Sequence, residues 1–287
     1  MYDRYEKIID SFTHFAEHSS KVYAMIIIGS QARTNHRADE YSDLDLVLIV
    51  DDLDYFVSSN EWLDQICESH VSFIEDSLDG TKEHRVLVEN ALDVDIVIRH
   101  ISTVGDITTD EVAKILSNGY KVVIDKIGID DILQTIKPNE PNRKLPNEKE
   151  YANTVNDFWY HAVWTSKKLK RGELWTAKFC VDSYMKWKLL TMIEWHAKVL
   201  NGSDFNTWYG GRFIEEWAEP WIIAELSFCF SHYNNEDMKS ALFATMELFR
   251  KIAVVVAEEL RYEYPLTSDK YVTDWVKINL EAPNLLV

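Results

Sequence analysis

A proline-rich segment divides this chain into two halves whose apolar residues follow different periods. Three of the six prolines lie within residues 137–150. Proline lacks a backbone donor and restricts the residue before it, so a regular element is not expected to run through this segment. We therefore predict two domains, residues 1–137 and 151–287, joined by a linker over residues 138–150.

Before the linker, short β-branched runs alternate with stretches at helical spacing. The runs predict strands over residues 22–28, 44–50, 85–89, 93–98 and 119–125, and the amphipathic stretches predict helices over residues 2–18, 54–67 and 111–116. Helices that cross a central sheet give an α/β or α+β domain.

After the linker, apolar residues recur at helical spacing only. The pattern predicts helices over residues 151–169, 174–199, 213–230 (interrupted near Pro220) and 236–262. We therefore predict that a helical bundle follows the sheet domain.

The charge of the chain restricts its partners. The formal net charge is −18, and residues 1–137 account for −15 of it. Duplex nucleic acid is not expected to be a partner, because binding it requires a cationic face. A cationic small molecule suits this surface better, since the acidic field would attract it.

Several features predict a cytoplasmic protein. The chain has no apolar run of the roughly 18–20 residues that a membrane span needs, and its first residues do not resemble a secretion signal. The three cysteines, Cys67, Cys180 and Cys229, are far apart and in no CxxC pair, which favours reduced thiols. We expect no membrane association, and the oligomeric state stays open.

One group of residues has a spacing that indicates catalysis. Gly29 and Ser30 close the first predicted strand, Asp43 and Asp45 open the second, and Asp95 lies inside the fourth. Residues i and i+2 of a strand face the same side, so Asp43 and Asp45 should project together. Ordinary surface acids are the simpler interpretation of an Asp-x-Asp pair, but the preceding Gly-Ser turn and the third acid favour a site.

These residue types suit a nucleotide bound with a divalent cation. Mg²⁺ prefers oxygen ligands and commonly bridges carboxylates to substrate phosphates. Two such ions roughly 3.5–4 Å apart can activate an attacking oxygen and neutralise a leaving pyrophosphate. A Gly-Ser turn at a strand end offers backbone N–H groups and a hydroxyl to phosphate oxygens.

The motif resembles the signature of the DNA polymerase beta-type nucleotidyltransferases. Over nearly the whole chain, further stretches look like the bacterial aminoglycoside 6-adenylyltransferases, the streptomycin-modifying enzymes. They are residues 60–63, 156–159, 179–182, 189–195 and 261–265. One departure is Gln31, because the family carries arginine after Gly-Ser, whereas this chain has Arg33 two positions later.

The resemblance implies an α+β fold: a nucleotidyltransferase domain with a mixed sheet, then a C-terminal helical bundle, with the active site between them. It also implies transfer of AMP from ATP to an aminoglycoside hydroxyl, with Mg²⁺ present and pyrophosphate released. Asp43 and Asp45 would ligate metal, and Asp95 would complete that site or act near the attacking hydroxyl. Gly29, Ser30 and Arg33 would hold the phosphates.

Two residues of the helical half are further candidates. Asp182 lies on an otherwise apolar helix face, where an unpaired carboxylate is costly. It could be the general base or a contact for a cationic substrate, and the alternative is an exposed helix acid. Lys178, one turn earlier, could neutralise the triphosphate or pair with Asp182.

Two other functions remain open at this stage. The acceptor could be another aminoglycoside, a lincosamide or a protein side chain, since the motif residues would be unchanged. The chain could also be a non-catalytic nucleotide-binding protein, although three intact acids argue against that interpretation.

Overall fold

The computed structural model describes residues 3–33, 36–76, 81–108, 111–136 and 144–281. The chain divides into two units, Met1–Asn139 and Glu140–Val287. The first unit contains a mixed sheet with helices, and the second contains helices alone among its described residues. The predicted α+β fold class is confirmed.

The first unit is built on a six-stranded sheet. Its strands are β1 (Val22–Ile28), β2 (Leu44–Val50), β3 (Ser69–Asp76), β4 (Lys82–Val88), β5 (Leu92–His100) and β6 (Lys121–Asp125). They lie in the order β3-β4-β5-β2-β1-β6. Only the central pair, β2 and β5, is parallel, and the other four pairs are antiparallel.

Apolar side chains cover both faces of the central strands. In β2, the even-numbered residues from Leu44 to Val50 pack into one core, which also holds Phe12, Phe56 and Trp62. Val47 and Ile49 pack into the core on the other face. The helices of this unit are α1 (Glu6–His18), α2 (Leu53–Ser58), α3 (Glu111–Leu116) and α4 (Ile129–Leu133).

The structure corrects the sequence prediction between β2 and β4. The helix predicted over residues 54–67 is present only in its first part: α2 ends at Ser58, and a short 3-10 turn follows at Leu63–Gln65. The Trp62 indole donates to the Phe56 carbonyl oxygen at 3.0 Å and folds the chain back on α2. Strand β3, which follows, was not predicted.

The second unit consists of seven helices among its described residues. They are α5 (Glu148–Lys170), α6 (Leu174–Phe179), α7 (Met185–Asn201), α8 (Ile214–Trp217), α9 (Pro220–Leu226), α10 (Asn235–Leu260) and α11 (Leu266–Glu281). Their buried faces share one core, in which Phe158 and Phe249 stack with ring centroids 3.7 Å apart. Helix α11 was not predicted.

The predicted linker, residues 138–150, is wrong at its end because α5 begins at Glu148. The Asn147 side chain accepts from the Glu150 backbone N–H, and the Glu150 carboxylate accepts from the Asn147 N–H. This capping box starts the helix directly after the last proline of the segment. Residues 137–143 lie outside the described residues.

The helix predicted over residues 174–199 is interrupted. Its turns widen into a π-helical segment at Cys180–Tyr184, between α6 and α7. Such segments often occur at functional sites. Within the described ranges, no helix has both the length and the apolar character that a membrane span requires.

Candidate active site

The strand register places the sequence motif in one row across the sheet. Asp45 of β2 pairs with Ile28 of β1 on one side and with Asp95 of β5 on the other. Asp95 in turn pairs with Arg85 of β4. Because side chains alternate along a strand, Asp43 lies on the same face as Asp45.

The three aspartates come together as the motif predicts. Asp43, Asp45 and Asp95 each offer a carboxylate oxygen, and these oxygens lie within 4.8 Å of one another. Asp43 and Asp45 are half-buried and Asp95 is buried. This is an all-oxygen donor set of the kind that Mg²⁺ prefers.

Two observations fit this site to a bound cation and phosphate. The Asp95 Oδ1 and Ser30 Oγ atoms are buried, and neither has a hydrogen-bond partner among the described residues. A buried polar atom without a hydrogen-bond partner lowers the stability of the fold, because its lost hydration is not replaced. A bound cation at Asp95 and a phosphate at Ser30 would supply the missing partners.

Gly29 leaves the space that Asp45 occupies. Its φ is +65°, a left-handed conformation that glycine adopts easily. A Cβ atom at this position would lie 1.9 Å from Asp45 Oδ2, which is closer than any real contact. The glycine of the motif therefore has a steric role beside one of the acids.

The following turn is fixed to the aspartates by Gln31. Residues Gly29–Gln31 form a 3-10 turn, and the Gln31 amide donates to the Asp43 carbonyl oxygen at 3.2 Å. The Arg33 guanidinium donates from Nε to the His36 carbonyl oxygen at 2.7 Å. Glutamine, which departs from the family pattern here, thus connects the two halves of the motif.

Asp95 has an unusual electrostatic environment. Its burial raises the pKa of this carboxyl to about 6, and Arg85 opposes the shift. Arg85 Nη1 donates to Asp95 Oδ2 at 2.5 Å, while the same guanidinium contacts Glu75 at 2.7 Å and Glu83 at 3.1 Å. Arg85 therefore holds one oxygen of Asp95 and leaves the other for a ligand.

The sequence prediction missed two residues around the triad. Arg85 lies beside Asp95 because of the β4–β5 pairing, which no local pattern reveals. Asp93 lies two residues before Asp95, on the same face of β5, and its pKa is raised by burial and by the charge of Asp43. The alternation in Leu92-Asp93-Val94-Asp95 could have revealed Asp93.

The two candidates from the helical half lie in the second unit and contact each other. Lys178 forms an ion pair with Asp182 Oδ2 and donates to the Ser231 carbonyl oxygen at 2.5 Å. Ser231 Oγ also donates to Asp182 Oδ2, at 3.2 Å. The Asp182 Oδ1 atom is buried and has no hydrogen-bond partner among the described residues.

An open groove of about 290 Å³ lies beside the π-helical segment of the second unit. Trp164, Trp175, Phe179 and Tyr184 line it, with Trp175 and Phe179 largely exposed. Near it, the Asp157 carboxylate accepts from Tyr184 at 3.0 Å and pairs with Lys188 at 2.6 Å. Aromatic faces beside a carboxylate suit the sugar rings and amines of a cationic ligand.

Comparisons with known proteins agree with these features. The model of the streptomycin adenylyltransferase family matches residues 3–278. An aminoglycoside 6-adenylyltransferase of Bacillus subtilis (strain 168) is 23% identical over 269 residues, which cover 91% of this chain and 92% of that protein. One of Staphylococcus aureus is 23% identical over 286 residues, which cover 96% and 98%.

The solved structures include a similar chain. It is the crystal structure of an aminoglycoside 6-adenyltransferase from Bacillus subtilis, which is 21% identical to this protein and has a TM-score of 0.48. The similarity covers 96% of this chain and 98% of that chain.

Proposed function

Since this chain belongs to the streptomycin adenylyltransferase family, we propose that it transfers AMP from ATP to a hydroxyl group of an aminoglycoside. Streptomycin, at its 6-hydroxyl, is the acceptor we favour. The relatives named aminoglycoside 6-adenylyltransferase support the general activity. We expect the reaction to take place in the cytoplasm, where ATP is available.

The observation that carries this proposal is the convergence of Asp43, Asp45 and Asp95 beside the Gly29–Ser30 turn. These three aspartates are the proposed ligands of Mg²⁺, which when bound neutralises charge on the triphosphate and on the pyrophosphate that leaves. Ser30 Oγ and the backbone of its turn are proposed to bind phosphate oxygens, and Arg33 to add positive charge nearby.

The chemical step is a displacement at phosphorus. The acceptor hydroxyl oxygen attacks the α-phosphorus of ATP, the bond from that phosphorus to the bridging oxygen breaks, and pyrophosphate leaves with its electron pair. A base takes the hydroxyl proton. Asp182 is our candidate for that base or for a contact with a cationic group of the acceptor, and Asp95 is the alternative base.

The Lys178–Asp182 ion pair supports one of two roles for the lysine. Lys178 contacts Asp182 and Ser231, which favours a role in holding the Asp182 carboxylate over a role at the triphosphate. The aromatic groove beside the same segment is the proposed binding surface for the acceptor's sugar rings.

Mass spectrometry of an aminoglycoside panel, incubated with the protein, ATP and Mg²⁺, tests the proposal. We expect a gain of one AMP on streptomycin. A gain on a different aminoglycoside or on a lincosamide would keep the reaction and correct the acceptor, whereas no adduct on any compound would contradict the proposal.

A matched pair of variants tests the site itself. Asp45→Asn should reduce AMP transfer roughly 100-fold or more, because a metal ligand is lost. Asp51→Asn changes an aspartate just beyond the other end of the same strand, where it accepts from Tyr23, and should leave the rate unchanged. Equal rates in the two variants would remove the triad from the mechanism.

A further inference from the structure

The hydroxyl group of Tyr5 lies between the segment that leads into β2 and the first residues of β5. It is 2.9 Å from the Ser42 carbonyl oxygen and 3.2 Å from the Asp93 carbonyl oxygen, to which it can donate, and it accepts from the Asp93 N–H at 3.2 Å. Tyr5 is 3% exposed. A single buried hydroxyl therefore joins both segments.

The neighbouring residue, Arg4, joins the same two parts of the chain through a second pair of hydrogen bonds. Its Nη1 atom donates to the Glu40 carbonyl oxygen at 2.9 Å, and its Nη2 atom donates to the Asn90 carbonyl oxygen at 3.3 Å. Glu40 precedes β2 and Asn90 precedes β5. We refer to these two residues as the Arg4–Tyr5 clasp.

The clasp holds a residue that the hydrogen bonds between β2 and β5 do not reach. The parallel ladder between β2 and β5 begins at Leu44 and Val94. Asp45 and Asp95 lie inside that ladder, so its hydrogen bonds fix their backbones, but Asp43 lies just before it. The Ser42 carbonyl that Tyr5 contacts belongs to the peptide group that includes the Asp43 nitrogen.

Asp43 is thus held by contacts from outside the ladder. Tyr5 contacts the peptide group before it, and the Gln31 amide contacts the carbonyl after it. A carboxylate that shares a cation with two others must keep its position to within a fraction of an ångström. Removing a contact that holds a metal ligand in this way commonly lowers metal affinity by about 10–100-fold.

We propose that the Arg4–Tyr5 clasp positions Asp43 against Asp45 and Asp95, and that Tyr5 is a positioning residue of the cation site. This inference rests on the proposed function, since it assumes that the triad binds a divalent cation. Tyr5 itself contacts only backbone groups in these hydrogen bonds, and its role is exerted through Asp43.

The experiment compares two tyrosine hydroxyls at opposite ends of β2 in the full-length protein. Tyr5→Phe removes the clasp hydroxyl, and Tyr23→Phe removes one that donates to Asp51 Oδ2 at 3.1 Å. Binding of Mn²⁺ alone is titrated by electron paramagnetic resonance, and the rate of AMP transfer is measured against Mg²⁺ concentration.

We expect Tyr5→Phe to weaken Mn²⁺ binding about 10-fold and to raise the Mg²⁺ concentration for half-maximal rate by a similar factor. Saturating Mg²⁺ should restore most of kcat, which a general loss of structure would not allow. Tyr23→Phe should change neither quantity. Unchanged Mn²⁺ affinity in Tyr5→Phe, or an equal loss in both variants, would overturn the inference.

A third variant covers the case in which Tyr5→Phe does not fold. Arg4→Gln alters an exposed side chain and should weaken Mn²⁺ binding a few-fold, because the hydrogen bonds of Arg4 are lost and those of Tyr5 remain. Unchanged Mn²⁺ affinity in Arg4→Gln would contradict the inference. If the wild-type protein binds no Mn²⁺, the proposed function fails as well. If the wild-type protein binds Mn²⁺ and the clasp variants bind it with the same affinity, the clasp alone is wrong.

Discussion

Replacing Gly29 by alanine should damage the active site through one methyl group. The backbone at Gly29 has φ +65°, and an added Cβ would lie 1.9 Å from Asp45 Oδ2 and 2.8 Å from its Cγ. Real Cβ contacts essentially never fall under 3.0 Å. The Asp45 carboxylate would therefore have to move by more than about 1 Å, out of its place in the triad.

Two costs can be separated. A left-handed conformation costs a non-glycine residue about 1–2 kcal/mol, which lowers stability wherever such a substitution is made. Moving a catalytic group by about 1 Å can reduce a rate on the order of 100-fold, which affects activity only at this position. Gly29→Ala should show both effects.

Gly128→Ala is the matched control, because it isolates the first cost. Gly128 lies in the same unit with φ +73°, and its added Cβ would meet no atom within 4 Å. Each lost kcal/mol should lower Tm by about 2–4 °C in either variant. AMP transfer, measured as kcat/KM at saturating Mg²⁺, should fall only in Gly29→Ala. Equal rates in the two variants would refute the steric role of Gly29.

Three further predictions concern pH, a buried ion pair and salt. Burial raises the pKa of the Asp95 carboxyl from 3.8 to about 6 in the folded protein. The contribution of this group to the free energy of unfolding is therefore fully present below pH 3.8, and it is lost as pH rises through 6 and the buried carboxyl ionises. The free energy of unfolding can be measured by urea denaturation with EDTA present. Asp95→Asn should be roughly 1–3 kcal/mol more stable than the wild type at pH 8 and no more stable at pH 4. Asp269 is buried and binds Arg250 through two contacts of 2.6 Å, so Asp269→Asn should cost roughly 3 kcal/mol. The exposed pair of Asp274 and Lys270 gives the control, with a loss under about 1 kcal/mol. KM for a cationic acceptor should rise with ionic strength, because salt screens the acidic surface; a constant KM would contradict that.

The sequence predicted the central strands and the acidic triad for a common reason. Strands β1 and β2 begin and end at the predicted residues, since most residues on both faces are buried and each strand is a mainly apolar run. The Asp-x-Asp spacing then fixes the face on which Asp43 and Asp45 lie. Local sequence is enough where nearly every residue of an element is buried.

The elements that were missed depend on long-range pairing or lie half in solvent. Strand β3 is the edge of the sheet, and its Val71 and Phe73 side chains are about half exposed, so its alternation gives no clear burial pattern. Arg85 meets Asp95 only through the β4–β5 register. Tyr5 contacts Asp93, which is 88 residues away, and no local sequence pattern indicates that contact.

The arginine beside the triad raises the question of whether it could replace the cation. Two ionised carboxylates whose oxygens lie within 4.8 Å of each other repel by roughly 3 kcal/mol or more at an effective dielectric constant of 20. Arg85 reduces this repulsion at Asp95, but its guanidinium also contacts Glu75 and Glu83. One positive charge is thus shared among three acids, two of which lie outside the triad. Arg85 therefore fixes the orientation of the Asp95 carboxylate but does not neutralise the triad. The three aspartates remain strongly negative and still favour a divalent cation.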